Sequence, residues 1–247
     1  MRYLTLNIIL FTTFLLAQST LLAQEHLTHG IWDELTKKYV TEEGKVNYKG
    51  FQKEEARLDE YLKALSANHP DKSWNRNQRL AYWINAYNAF TVKLIVKNYP
   101  IKSIKELGGG IYKVNTPWDI KFIKIGDKTY DLNNIEHGII RKEFKEPRIH
   151  FAINCAAVSC PKLRNEAYFP DRLDAQLDDQ AIFFINNSPK NNITSEEAQL
   201  SKIFSWFRGD FKKKYPSIMA FINKYSTVKI EKKTKISYLE YDWNLNE

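Results

Sequence analysis

From residue 75 to residue 99 the chain contains neither glycine nor proline, and bulky residues recur at Leu80, Trp83, Ile84, Tyr87, Thr91, Leu94 and Ile95. That spacing predicts one long helix, and because it is apolar on more than one side the helix must lie inside other elements. Pro100 ends it, and the Gly108-Gly109-Gly110 run reads as a loop. Two polar residues interrupt its apolar surface. Asn85 and Asn88 stand three apart on one face, and a buried amide without partners is costly. Either they tie down a neighbouring loop, or they line a pocket and donate to a substrate oxyanion.

The other elements are shorter. Helical periodicity covers residues 26–40 and 51–65, and residues 122–125 and 128–131 flank Gly126-Asp127 as a β-hairpin. A helix follows over 132–144, then a strand over 148–155 after Pro147, a helix over 171–186, a short strand at 198–200 and helices over 201–211 and 216–225. The tail, 228–243, alternates enough to be a strand with an ordered end. Helices come first and strands are few, so the expected class is α+β: a helix-rich N-terminal half packed on a small mixed or antiparallel sheet, in a single domain.

The first residues follow the plan of a secretory signal: one cation at Arg2, an apolar stretch from Leu4 to Leu16, and the small end Leu21-Leu22-Ala23. The apolar run is too short and interrupted to span a bilayer comfortably, which needs about 20 apolar residues. Cleavage after Ala23 is expected, leaving residues 24–247 as an exported periplasmic or secreted chain with no stable membrane insertion. The formal charge of +8 is carried by lysine-rich stretches such as Lys212-Lys213-Lys214. They read as a solvated face, and no nucleic-acid motif accompanies them.

Polar and titratable residues crowd between positions 131 and 163: Asp131, Glu136, His137, Arg141, Arg148, His150, Asn154, Cys155, Ser159 and Cys160. On the expected strand, Arg148, His150, Ala152 and Asn154 share one face and Ile149, Phe151, Ile153 and Cys155 the other. Cys155 therefore keeps apolar company. Cys160 immediately precedes Pro161, and proline favours the first position of a helix, where Cys160 would cap the N-terminus and its thiol would ionise more readily. The two cysteines can also close a disulfide in an oxidising compartment, across five positions. A metal site from Cys155, Cys160, His150 and His137 is the third option, though the spacing matches no familiar zinc motif. His137 and Arg141 share a helix face, so His137 can act as a base oriented by Glu136 or Asp131, or be a satisfied structural histidine beside ion pairs.

These same stretches resemble the family catalogued as domain of unknown function 547. The similarity is carried by Tyr82-Trp83-Ile84-Asn85-Ala86-Tyr87-Asn88-Ala89, by Ile135-Glu136-His137 with Arg141, and by Arg148-Ile149-His150-Phe151-Ala152 through Asn154-Cys155 to Ser159-Cys160-Pro161. It is strongest over residues 75–190, and the later Phe204-Ser205-Trp206-Phe207 and Asp210-Phe211 also look like it. The resemblance places Glu136, His137, Arg141, Arg148, His150, Cys155 and Cys160 on signature positions. It implies no settled catalytic role for any of them.

The expected activity is a cysteine-dependent hydrolase or acyl transferase acting on an amide or thioester, with no cofactor. Cys160 is the expected nucleophile and Cys155 its fallback, His137 or His150 the base, and Glu136 the orienter. Asn85, Asn88, Arg141, Arg148 and Asn154 are candidates to bind a small-molecule or peptide ligand. Two other classes compete: a non-catalytic binding domain with Cys155 and Cys160 bridged, and a thiol redox protein using the same pair.

Overall fold

The computed structural model describes residues 27–109, 115–187 and 189–247. The expected signal peptide, 1–23, and Gly110 of the glycine run lie outside these residues. Helix α1 (Gly30–Tyr39) leads into α2 (Tyr48–Lys53), α3 (Glu55–Ala67) and the long α4 (Arg76–Asn98). Asn75 starts α4 with a reciprocal cap: its side chain accepts from the Gln78 N–H at 3.0 Å, and the Gln78 side chain accepts from the Asn75 N–H at 2.7 Å. All thirteen residues from Leu80 to Val92 are buried, as expected for an element packed on every side. Helices α2 and α3 pack against α4.

The strands form two small sheets. In the first, β1 (Ile123–Ile125) and β2 (Lys128–Tyr130) pair antiparallel, with Ile123 opposite Tyr130 and Ile125 opposite Lys128. Gly126 makes that turn possible, because its φ is +55° and a Cβ there would stand 2.8 Å from the His69 ring. In the second, β3 (Asn192–Ile193) and β4 (Glu197–Leu200) are antiparallel, and β4 pairs parallel to β5 (Lys235–Tyr238) with Ala198 opposite Ile236. The parallel pairing requires a crossover, supplied by α7 (Ile203–Trp206), α8 (Arg208–Lys214) and α9 (Ile218–Tyr225). Helices dominate and the sheets are small, so the architecture is α+β.

Helix α5 is irregular. A π-helical stretch, Asn134–Ile140, runs into one α-helical turn, Arg141–Phe144. Such stretches are rare and recur at functional sites. After it the structure departs from the sequence reading. Residues 148–155 are not a strand: Pro147–Phe151 form a 3₁₀ turn, opened by Pro147 and capped by the Glu146 side chain, which accepts from the Arg148 N–H at 3.1 Å. The apolar-polar alternation that suggested a strand has a different cause. Residues 147–154 are all buried, so polar and apolar side chains alike point into the protein, and the two-face argument does not apply.

Helix α6 (Leu173–Ile182) continues as a π-helical stretch, Phe183–Asn187. Phe151 joins an aromatic core with Phe184, Phe204, Phe211 and Phe221, its ring centroid lying between 4.9 and 6.0 Å from each of theirs. The last residues then run back across the protein. Val158 N–H donates to Asn244 O at 2.8 Å and Ser159 N–H to Asp242 O at 3.1 Å, while Leu245 N–H donates to Lys102 O at 2.9 Å. This strap carries Tyr241 and Trp243 to the cysteine loop.

Candidate functional site

Residues 154–161 form a tight loop held from within. Asn154 donates from its amide to Pro161 O at 2.8 Å and accepts from the Ala156 N–H at 2.9 Å. Ala156 adopts a φ of +60°, a left-handed conformation that non-glycine residues hold only when their surroundings enforce it. Cys155 and Cys160 are joined in a disulfide with Cα atoms 6.0 Å apart. The bridged pair that the sequence left as one of three options is therefore the arrangement present, and it is compatible with an oxidising compartment. Cys160 does not cap a helix, because residues 161–164 are non-helical. The Cys160 N–H instead closes a turn onto Ala157 O at 2.9 Å.

The imidazole of His150 is buried and stacked on Phe207, with ring centroids 3.9 Å apart. Its Nε2 lies 2.9 Å from Asp210 Oδ2. Burial raises the Asp210 carboxyl, but hydrogen bonds from His150, Arg141 and Lys213 outweigh it and hold the group well below the ordinary carboxylate range. An ionised carboxylate can only accept, so Nε2 carries the hydrogen and Nδ1 keeps its lone pair. Nδ1 is buried and has no hydrogen-bond partner among the described residues. Burial also lowers the His150 pKa to about 4, so the ring is neutral at neutral pH.

His137 is placed differently. Its side chain is 44% exposed, and its Nδ1 accepts from Arg141 at 2.9 Å, since a guanidinium has no lone pair to offer. Arg141 Nε in turn donates to Asp210 at 2.5 Å. Glu136 approaches His137 only to 3.8 Å, too far to orient the ring by a hydrogen bond. The expected orienter Asp131 is committed elsewhere: it accepts from the Asn134 N–H at 2.6 Å and pairs with Lys121 at 2.6 Å. Glu136 turns inward from the π-helical stretch, and burial pushes its carboxyl up to about 7 despite Arg141 and a hydrogen bond from Tyr87 at 3.4 Å.

A cavity of about 200 Å³ connects these groups. Glu136, His150 and Cys155 border it, and Trp118, Trp206, Tyr241 and Trp243 supply much of its wall. The aromatic rings pack on one another: Tyr241 and Trp243 at 4.6 Å, Trp206 and Tyr241 at 4.7 Å, Trp118 and Trp243 at 5.6 Å. Tyr241 Oη also touches the disulfide, 3.3 Å from Cys155 Sγ and 3.4 Å from Cys160 Sγ. Cys160 is 1% exposed and borders a second cavity, about 560 Å³, on the other side of Pro161 and Tyr241.

Residues 72–185 match the model of the family described as Protein of unknown function, DUF547. The match supports the family read from the sequence. No curated protein and no solved structure matches the chain. The DUF547 region contains Glu136, His137, His150, Cys155 and Cys160, but Asp210, Trp206, Tyr241 and Trp243 lie beyond it. The cavity is thus completed by segments outside the matched region.

Several other candidates in the matched region hold the backbone. Asn85 donates to Tyr168 O at 2.8 Å and accepts from Tyr168 N–H at 2.9 Å, and Asn88 donates to Ala152 O at 2.9 Å and accepts from Asn154 N–H at 2.8 Å. These are the loop ties that the sequence allowed, and neither amide borders the aromatic cavity. Arg148 is buried with Glu146 at 2.8 Å and with Asp174 and Asp178, each at 2.6 Å, so its guanidinium is occupied by three carboxylates. Asp210 was legible only through the family resemblance of Asp210-Phe211, with no role attached, and nothing in Leu239-Glu240-Tyr241-Asp242-Trp243 signalled that the tail returns to the cysteines. Among the described residues, no group of three His, Cys, Asp or Glu side chains could hold a metal ion, and no helix is long and apolar enough to cross a membrane.

Proposed function

We propose that this protein is a hydrolase or acyl transferase acting on an amide or thioester, with His150 as general base and Glu136 as general acid. One observation carries the reading: His150 is anchored through Nε2 to Asp210 at 2.9 Å, its Nδ1 has no partner among the described residues, and the ring borders the same cavity as Glu136. The environments of the two groups push their pKa values in opposite directions, to about 4 and about 7. Between those values the base is unprotonated and the acid protonated, the states that acid-base hydrolysis needs. Asp210 is a positioning residue that fixes the tautomer.

The nucleophile depends on the redox state of the cysteines. With the disulfide closed, no thiol is present and the attacking group is water. On reduction, Cys155 is the sulfur that borders the cavity, so it replaces Cys160 as the expected nucleophile. The aromatic wall favours an acyl group with a ring or a compact apolar chain.

The test is a panel of acetyl and benzoyl amides and thioesters, assayed with and without reductant. Turnover should fall by a factor on the order of 10² or more in His150→Asn, because a positioned acid-base group contributes about that much. No turnover in either redox state, or turnover indifferent to both His150→Asn and Glu136→Gln, would sink the reading. The closed disulfide favours a second reading, a binding domain whose aromatic cavity retains a small apolar ligand without chemistry. Saturable quenching of tryptophan fluorescence by benzoate esters that are never turned over would select it.

A further inference from the structure

The two sulfurs of the disulfide are not equivalent. Cys155 is partly exposed and borders the aromatic cavity, whereas Cys160 is 1% exposed. A backbone donor distinguishes Cys160 Sγ: the Cys155 N–H reaches it at 3.0 Å, whereas the Tyr241 hydroxyl lies between the two sulfurs, 3.3 Å from Cys155 Sγ and 3.4 Å from Cys160 Sγ. Donors aimed at a sulfur stabilise it as a thiolate and make it the better leaving group. His150 borders the same cavity as Cys155, and its buried Nδ1 has no hydrogen-bond partner among the described residues. An accessible sulfur, a stabilised leaving sulfur and a free base are the three parts that thiol-disulfide exchange requires.

We propose that the Cys155–Cys160 disulfide is an exchange site for a small, uncharged apolar thiol that enters the aromatic cavity and attacks Cys155. The thiol gives its proton to His150 Nδ1. Its sulfur lone pair forms a new S–S bond to Cys155 Sγ while the Cys155–Cys160 bond breaks, and that bonding pair leaves on Cys160 as a thiolate. The proton then returns through solvent to Cys160. The incoming thiol is oxidised to a mixed disulfide and Cys160 is reduced to a thiol, so no further oxidant is needed.

The cavity selects against a cationic thiol. Arg141 already lies over the Phe207 ring at 4.9 Å and Lys105 over the Trp243 ring at 4.2 Å, so two of the cavity's rings already hold a cation that would repel a second one. The inference uses the disulfide and does not need the hydrolase reading.

The experiment treats the purified, oxidised full chain with benzyl mercaptan and, separately, with cysteamine, quenches in acid, and maps the adduct by fragment-ion mass spectrometry. Each rate is divided by that of the same thiol on the same protein unfolded in urea. The benzyl adduct should sit on Cys155 and form about tenfold faster in the folded protein than in the unfolded chain, with no such gain for cysteamine. An adduct on Cys160, a benzyl rate no higher than in the unfolded chain, or an equal gain for cysteamine overturns the proposal. Loss of hydrolysis with the exchange intact would discard the hydrolase reading alone.

Discussion

His150 Nε2 and Asp210 Oδ2 meet at 2.9 Å although the residues are 60 positions apart, and that contact decides which nitrogen of the imidazole carries hydrogen. Asp210→Asn should break this assignment, because an amide can present a donor to Nε2 and turn the ring over to the other tautomer. Proposed turnover should fall by about 10²- to 10⁴-fold, as in triads whose orienting acid is neutralised. The check independent of activity is the ¹⁵N chemical shifts of His150: Nδ1 should carry the lone pair in the wild type and lose it in the variant.

The same cavity predicts a pH profile. His150 must be unprotonated and Glu136 protonated, and their pKa values are about 4 and about 7. The rate constant kcat/KM should rise as pH increases through about 4 and fall as it increases through about 7. In Glu136→Gln the alkaline limb should vanish along with most of the rate. A profile rising monotonically past pH 8 would exclude Glu136 as the acid.

Glu136 should also make stability depend on pH. Its folded pKa, about 7, lies above the ordinary 4.5, so the native state binds the proton more tightly than the unfolded chain. Stability is then greatest below about 4.5 as far as this group is concerned, and is lost as pH rises from there through about 7. The shift corresponds to at most about 3–4 kcal/mol. Glu136→Gln should remove this slope and be more stable than wild type at pH 8, measured by urea unfolding across pH.

The sequence announced the long helix through the absence of breakers between residues 75 and 99, and it announced the hairpin through Gly126-Asp127, because both signals are local. The 148–155 stretch misled for a physical reason. Alternation means two faces only when one face meets water, and here all the side chains from 147 to 154 are buried. Glu136, His150 and Cys155 were legible as one candidate group, but the surroundings that complete it were not. They depend on Asp210, which helix packing brings to His150, and on Tyr241, which the returning tail brings to the cavity, contacts that no periodicity encodes.

Asn88 illustrates how a polar residue in a core can hold a site without touching it. Its amide satisfies Ala152 O and Asn154 N–H, the two backbone groups on either side of Ile153. Asn88→Ala would leave both buried and unpaired, at about 1–3 kcal/mol each. We expect a loss of about 2–5 kcal/mol in urea unfolding, and faster amide exchange at Asn154 than at residues of α1. Exchange unchanged at Asn154 would show that the tie is not what positions the cysteine loop.

Arg148 separates a structural cation from a ligand-binding one. It is buried beside Glu146, whose carboxyl is pushed up by burial yet drawn down to about 2 by hydrogen bonds from Arg148 and Lys214. Removing one partner of a buried pair costs about 3–5 kcal/mol when the other charge is left unpaired; here Lys214 stays on Glu146 at 2.7 Å, so that range is an upper bound. Arg148→Met should therefore destabilise the fold by up to that amount. Adding Glu146→Gln should recover part of the loss, because the buried carboxylate left with Lys214 as its counter-charge is gone. If Arg148 instead served a ligand, the single variant would keep its melting temperature and lose binding, and the second substitution would rescue nothing. Thermal unfolding of the two single variants and the double variant, compared as a cycle, distinguishes these outcomes.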